Sequence, residues 1–251
     1  LQAQGYHILV FMAKNSRDGV ERIVQELVDY RVDGIIAASV AMTSELTDRC
    51  AEAGIPVVLF NRGQDGVGLS TVTSANVDGG GKVAEFLVAG GHERIAHIAG
   101  WSGASTGRDR QRGFVEGLAK NGAEPLDIID GMFNRDTAAK AAKVLMNRTT
   151  PPDAIFVGND HMAFAVIDAL RAAGCDVPGD VSIVGYDDVP LAAWSAYDLT
   201  TVRQPVNRMV DATVETLLEE IQNRDRPGQK IEIDGPLIVR ASARVPKGWL
   251  T

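Results

Sequence analysis

Short apolar runs alternate with helix-period segments along this 251-residue chain, and that alternation points to parallel sheets covered by helices on both faces. Ile8–Met12 is the first strand candidate. Arg17–Tyr30 follows with Val20, Ile23, Val24, Leu27 and Val28 on one helical stripe. The strands Gly34–Ala38 and Pro56–Phe60 flank a helix from about Thr43 to Ala53. A turn punctuated by Gly63, Gly66 and Gly68 leads to a strand at Ser70–Ser74, a helix Gly79–Ala89 and the strand Ile95–Ala99.

A second series starts at Gly100 with the polar loop Trp101–Gly107 and a helix through Phe114 and Leu118. Strands are expected at Asp127–Ile129, Ala154–Val157 and Val181–Val184, with helices at Asp136–Asn147 and His161–Ala173. The last helix, Val206–Asn223, is expected to bury Val206, Met209, Val210, Leu217 and Ile221, before strands at Ile231–Ile233 and Leu237–Val239. The fold class is therefore α/β, two Rossmann-like parallel-sheet lobes in tandem, with the lobe of each late element left open.

Composition narrows the function. A 45% hydrophobic fraction is that of a folded globular chain, and no apolar run approaches the roughly 20 residues that span a bilayer. Lys and Arg number 25 against 33 Asp and Glu, a net charge of −8, which argues against direct DNA binding by these residues because polyanion binding rests on clustered cations. Cys50 and Cys175 lie far apart, so neither a disulfide framework nor a zinc site is expected, and the compartment is expected to be reducing.

Catalytic motifs fail on inspection. Gly81-Lys82 resembles a phosphate loop, yet that pattern requires Gly where Asn76 stands and a hydroxyl where Val83 stands. Ser102 lacks the second glycine of a nucleophile elbow and reads as a turn residue. His7, His92, His97 and His161 do not have the spacing of a helical zinc pair. The segment Met12–Asp18, after the first strand candidate, has no glycine with which to bind a dinucleotide. Neither an enzyme nor a cofactor or metal is expected.

In open α/β sheets the ligand site lies beyond the carboxyl ends of the strands. Those positions hold Ser39, Asn61, Arg62 and Asn76, then Thr106, Arg108, Asp109 and Arg110, then Phe133 and Asn134, Asn159 and Asp160, and Tyr186 to Asp188. Amides, an Arg fork, a carboxylate and an aromatic face suit a polyhydroxylated or planar polar small molecule. Each has a structural alternative. Asp160 is a plausible helix cap, Asp187 a turn residue, Arg110 a solvated charge beside Asp109, and Phe133 or Trp101 an ordinary core aromatic.

The chain resembles the effector-binding region of the lactose/galactose-repressor (LacI/GalR) family. The resemblance is carried by Val32-Asp33-Gly34-Ile35-Ile36, Gly54-Ile55-Pro56-Val57-Val58, Asn76 to Gly80 and Gly91-His92-Glu93-Arg94-Ile95-Ala96. It continues through Arg108 to Arg110 with Gly113-Phe114, Asn159-Asp160, Val177-Pro178, Val181 to Asp188, Leu199 to Pro205 and Val239 to Ser242. It implies a type I periplasmic-binding-protein fold with three crossovers, near Gly100, Gln204–Pro205 and Asp234–Pro236. Residues 1–99 plus 206–233 would form the N-lobe, and 100–204 plus 236–251 the C-lobe.

By position, the resemblance implies ligand contacts at Asn76, Thr106, Arg110, Phe133, Asn159, Asp187 and Gln204 in an inter-lobe cleft. It further implies a cytoplasmic homodimeric repressor that senses a small effector, a sugar or sugar derivative, with no membrane partner. Operator DNA would be bound through an N-terminal helix-turn-helix headpiece. The segment from Gly5 to Val10 matches the family after its first strand and helix, so the N-lobe is expected to lack both and the chain to be a piece of a longer regulator. A periplasmic sugar-binding protein serving a transporter is the alternative reading of the same fold.

Overall fold

A computed structural model describes residues 1–12, 17–40, 42–64 and 68–249. Gly66 of the expected glycine-rich turn, and the segment following Met12 up to Ser16, lie outside the described residues. In chain order the elements are α1 (Arg17–Asp29), β1 (Ile35–Ala38), α2 (Ser44–Glu52), β2 (Val57–Phe60), β3 (Ser70–Ser74), α3 (Asn76–Ala89), β4 (Ile95–Ala99) and α4 (Ser105–Lys120). They continue with β5 (Asp127–Asp130), α5 (Arg135–Met146), β6 (Ala154–Val157), α6 (Asp160–Ala172), β7 (Ser182–Asp187), β8 (Thr200–Arg203), α7 (Val206–Gln222), β9 (Lys230–Ile233) and β10 (Leu237–Ile238). Two compact units result, one of Leu1–Ser74 with Val206–Ile233, the other of Ala75–Pro205 with Asp234–Thr251.

The first unit holds a parallel sheet in the order β1-β2-β3-β9. Alternation along its strands feeds two cores. Ile35, Ala37, Val57 and Leu59 pack with Val20 and Val24 of α1 and with Leu46 and Cys50 of α2. On the other face Val58, Val72 and Ile233 pack with Met209 and Leu217 of α7. The expected α7 stripe is narrower than its sequence suggests, since Val206 and Val210 are exposed.

Ile8–Met12 is not a strand. It has no regular secondary structure and pairs with no strand among the described residues, with Ile8, Leu9, Val10 and Met12 all exposed. The apolar run has strand propensity, but a strand also needs a neighbouring edge for its N–H and C=O groups. Residues of this segment and of β1 both line an apolar cavity of about 920 Å³.

The second unit holds a six-stranded sheet, β10-β8-β7-β6-β4-β5, parallel except for β10, which runs antiparallel to β8. Period-2 alternation again splits the core. Ala96, Ile98, Ile155, Val157 and Ile183 face α5 and α6. Ile95, Ala154, Phe156, Val184 and Tyr186 face α3 and α4. The first chain boundary therefore falls at Ser74–Ala75 and not near Gly100. Residues 75–99, expected in the N-lobe, belong to the second unit because β4 is hydrogen-bonded between β5 and β6.

Gly80 of α3, beside the Gly81-Lys82 that resembles a phosphate loop, and Gly113 of α4 serve packing. A Cβ on Gly80 would lie 2.2 Å from the Arg110 carbonyl oxygen, and one on Gly113 would lie 1.8 Å from that of Val77. Only glycine lets the backbones of α3 and α4 approach so closely. Lys82 is bound to Asp234 and, at 2.8 Å, to the Gly235 carbonyl. Among the described residues no helix is long and apolar enough to cross a membrane.

Candidate functional site

The carboxyl ends of the second unit's strands and the start of α4 bring four of the expected residues into one hydrogen-bonded cluster. Arg110, on the second turn of α4, is 3% exposed. Its Nε donates to Asn76 Oδ1 at 2.9 Å and its Nη1 to the Gly158 carbonyl at 2.7 Å. Its Nη2 lies 3.1 Å from Asp187 Oδ1, and Cζ stands 3.7 Å above the Tyr186 ring centroid. Gln204 Nε2 donates to the same Asp187 Oδ1 at 2.6 Å. Arg110 is therefore no solvated surface charge, and Asp109 pairs instead with Arg112 at 3.0 Å.

Asn76 opens α3 and is buried, so the close α3–α4 packing fixes its distance from Arg110. Thr106 is buried in the first turn of α4. Phe133 is half-buried against the α5–α6 core, its ring so close over Gly100 that a Cβ there would lie 2.2 Å from Phe133 Cζ. Asn159 caps α6, accepting from Met162 N at 3.0 Å. The cap is thus Asn159, and Asp160 is free of that duty.

Asp160 is 0% exposed. Its Oδ1 accepts from Thr201 Oγ1 at 2.6 Å and its Oδ2 from Val189 N at 2.9 Å. Burial pushes its carboxyl up to about 7 against the opposing hydrogen bond from Thr201, and the charges of Asp187 and Asp188 add to the rise. Asp188 itself receives Arg203 Nε at 2.5 Å and Arg240 Nη2 at 2.7 Å. Sequence reasoning placed neither Arg203 nor Arg240 near the site. Arg203 ends β8, whose Thr200–Arg203 segment reads only weakly as a strand, and Arg240 follows the two-residue strand β10.

Backbone strain marks the same positions. Met132 and Phe133, after β5, have φ of +58° and +50°, and Asp187 and Asp188 have +124° and +56°. Non-glycine residues rarely adopt this region, and runs of them concentrate where a loop must aim a side chain. In the first unit Ser39 and Asn61 follow β1 and β2 with φ of +56° and +55°, and the buried Asn61 Oδ1 meets no hydrogen-bond donor among the described residues. Gln64 there accepts from Met42 N at 2.9 Å, and Arg62 is buried.

Two of the histidines, His92 and His97, are buried in the second unit. His97 stacks on Phe156 at 4.6 Å, its Nδ1 lies 2.9 Å from the Phe156 carbonyl, and burial pushes it down to about 4. His92 Nδ1 lies 3.4 Å from Asp153 Oδ1, and burial lowers it also. Both cysteines are free thiols. Among the described residues no group of three His, Cys, Asp or Glu side chains is placed to hold a metal.

Comparison with known proteins gives this cluster its setting. The periplasmic binding protein-like domain family matches residues 84–243. The chain is 31% identical over 244 residues to the HTH-type transcriptional repressor PurR of Photobacterium profundum, covering 96% of this chain and 73% of that one. A LacI transcriptional regulator from a Rhodococcus species superposes with a TM-score of 0.85 at 28% identity, over 98% of this chain and 90% of the other. The transcriptional regulator CelR in complex with cellobiose gives 0.83 at 32% identity, over 91% and 71%. With two parallel α/β units and these relatives, the chain belongs to the LacI/GalR family of transcriptional regulators and corresponds to its effector-binding, periplasmic-binding-protein-like region.

Proposed function

We propose that the cluster around Arg110 and Asp187 binds an uncharged, polyhydroxylated effector, a sugar or sugar derivative, and that its occupancy sets the regulator's hold on operator DNA. The observation that carries the reading is how the charges are spent. Arg110 and Gln204 both converge on Oδ1 of Asp187, so Oδ2 is left to accept from a ligand hydroxyl or amine. An anionic ligand would have to displace Asp187 from the guanidinium, whereas a hydroxyl donates to Oδ2 and leaves the pair in place. Asn76, Thr106, Asn159 and Gln204 supply further polar contacts, and Phe133 offers its ring to the apolar face of a pyranose or furanose.

The cellobiose bound by CelR, at 32% identity, supports the same ligand class. DNA contact would come from a helix-turn-helix headpiece in a cytoplasmic homodimer, and the region itself would turn over no substrate. Ligand would act by favouring one of two conformations with different affinity for DNA.

A thermal-shift screen of pentoses, hexoses, cellobiose, polyols, sugar acids and purines tests this, since a ligand that binds only the folded chain raises its Tm. Neutral carbohydrates are expected to raise it, and Asp187→Asn to abolish the shift. A screen in which only sugar acids or purines raise Tm would overturn the assignment.

A further inference from the structure

Two consecutive residues with positive φ, Asp187 at the end of β7 and Asp188 just after it, are neither of them glycine. Such backbone persists only where its surroundings over-determine it. Asp188 is gripped by Arg203 and Arg240, and Asp187 by Arg110 and Gln204. A third grip comes from a residue outside the ligand contacts. Asp160 reaches from the start of α6 to Val189 N, which follows the turn, and to Thr201 Oγ1 on β8. Its Oδ1 would stand 2.3 Å from a Cβ on Gly185, so the carboxyl sits directly against the β7 backbone.

Asp160 does not cap its helix, because Asn159 does, and a buried carboxyl with no folding duty of that kind is costly unless paired. We propose that Asp160 is a positioning residue that pins the strained turn between β7 and β8 and so fixes how Asp187 meets Arg110. Proton exchange follows from the same geometry. A neutral Asp160 donates its O–H to Thr201 Oγ1 and still accepts from Val189 N; an ionised one adds negative potential beside Asp187 and makes Asp187 a better acceptor. The charged groups acting on Asp160 are Asp187, paired with Arg110, and Asp188, paired with Arg203 and Arg240. With its carboxyl raised to about 7, the change falls in the neutral range. The effect on ligand affinity rests on Asp187 being the ligand acceptor; the positioning does not.

The whole chain is compared with Asp160→Asn and Asp160→Ala in two measurements. Without ligand, NMR follows the Arg110 Nε–H resonance and Val189 amide exchange from pH 5.5 to 8.5. The wild-type Arg110 signal is expected to titrate near pH 7. In Asp160→Asn it keeps its position without titrating, because an amide can make both hydrogen bonds and cannot ionise. In Asp160→Ala the Val189 amide is expected to exchange about tenfold faster, the loss of one hydrogen bond. A wild-type signal that does not titrate, a titration that survives in Asp160→Asn, or Val189 protection unchanged in Asp160→Ala overturns the proposal. If Asp160→Ala fails to fold, the first two outcomes still decide it. Calorimetry with cellobiose at pH 6 and 8 is the second measurement. Tighter binding at pH 8 is expected in wild type and not in Asp160→Asn, while no cellobiose binding in any form counts against the carbohydrate reading alone.

Discussion

Arg110→Ala should be felt first as a loss of stability in the second unit. The side chain is 4% exposed and its partner Asp187 19%. Removing it leaves the Asn76 amide oxygen and the Gly158 carbonyl without this donor, strips the cation from above Tyr186, and leaves the largely buried Asp187 carboxylate to the Gln204 amide without its counter-charge. Breaking one side of a buried pair costs about 3–5 kcal/mol, and the partial solvation of Asp187 places this case near the lower end. The three tryptophans, Trp101, Trp194 and Trp249, all belong to the second unit, so their fluorescence in urea reports that unit's unfolding separately. Linear extrapolation should give a loss of about 3 kcal/mol, with Tm lower by roughly 10 °C. Adding Asp187→Asn to Arg110→Ala removes the stranded charge and should return about 1–2 kcal/mol without restoring carbohydrate binding. A loss under about 1 kcal/mol for Arg110→Ala, or no recovery in the double variant, would show that the pair is not the buried anchor described.

Three more perturbations follow from the same structure. Asp160 retains its proton in the folded state up to about pH 7 while the unfolded chain releases it near 3.8; stability should therefore fall as pH rises between these values, by up to about 4 kcal/mol, and Asp160→Asn should lack this fall in urea titrations at successive pH. His97 is depressed from 6.5 to about 4, so its contribution has the opposite sign, present above pH 6.5 and lost by up to about 3 kcal/mol as pH falls to 4; His97→Phe should flatten that slope in the same titrations. Gly113→Ala forces a methyl against the Val77 carbonyl and should cost about 3 kcal/mol or more by tryptophan-monitored unfolding, while also weakening carbohydrate binding because α3 carries Asn76 and α4 carries Arg110.

The strand-end rule was enough to select Asn76, Arg110 and Asp187 from sequence, because a parallel sheet must place the residues after its strands along one edge. It could not show that they touch. Arg110 meets residues 34 positions before and 77 after it, contacts set by the α3–α4 approach and the left-handed turn after β7. The position of α3 and β4 was misread for a related reason. Hydrophobic periodicity identifies a strand but not its neighbours, and only the hydrogen bonds of β4 to β5 and β6 assign it to the second unit. Ile8–Met12 shows the converse, since a continuous apolar run with strand propensity stays unpaired among the described residues. From sequence Asp160 reads as the cap of α6, and the structure gives that duty to its neighbour Asn159. Their separation into a cap and a buried carboxyl depends on the approach of Thr201 and Val189, which no local pattern encodes.

The pairing of Arg110 with Asp187 and of Arg240 with Asp188 has a consequence for the conditions under which the region works. Each cation there is matched by an anion within hydrogen-bond distance and largely out of solvent. A neutral molecule settling among them exchanges dipoles, moves no counterions and casts little field beyond the Debye length, about 8 Å at physiological ionic strength. Recognition built this way is nearly indifferent to the salt content of its surroundings, in contrast to the contacts a regulator makes with phosphates, whose strength falls steeply as salt is added. On the reading proposed above, a change of salt would then alter the regulator's grip on DNA while its sensing of a neutral effector stays calibrated.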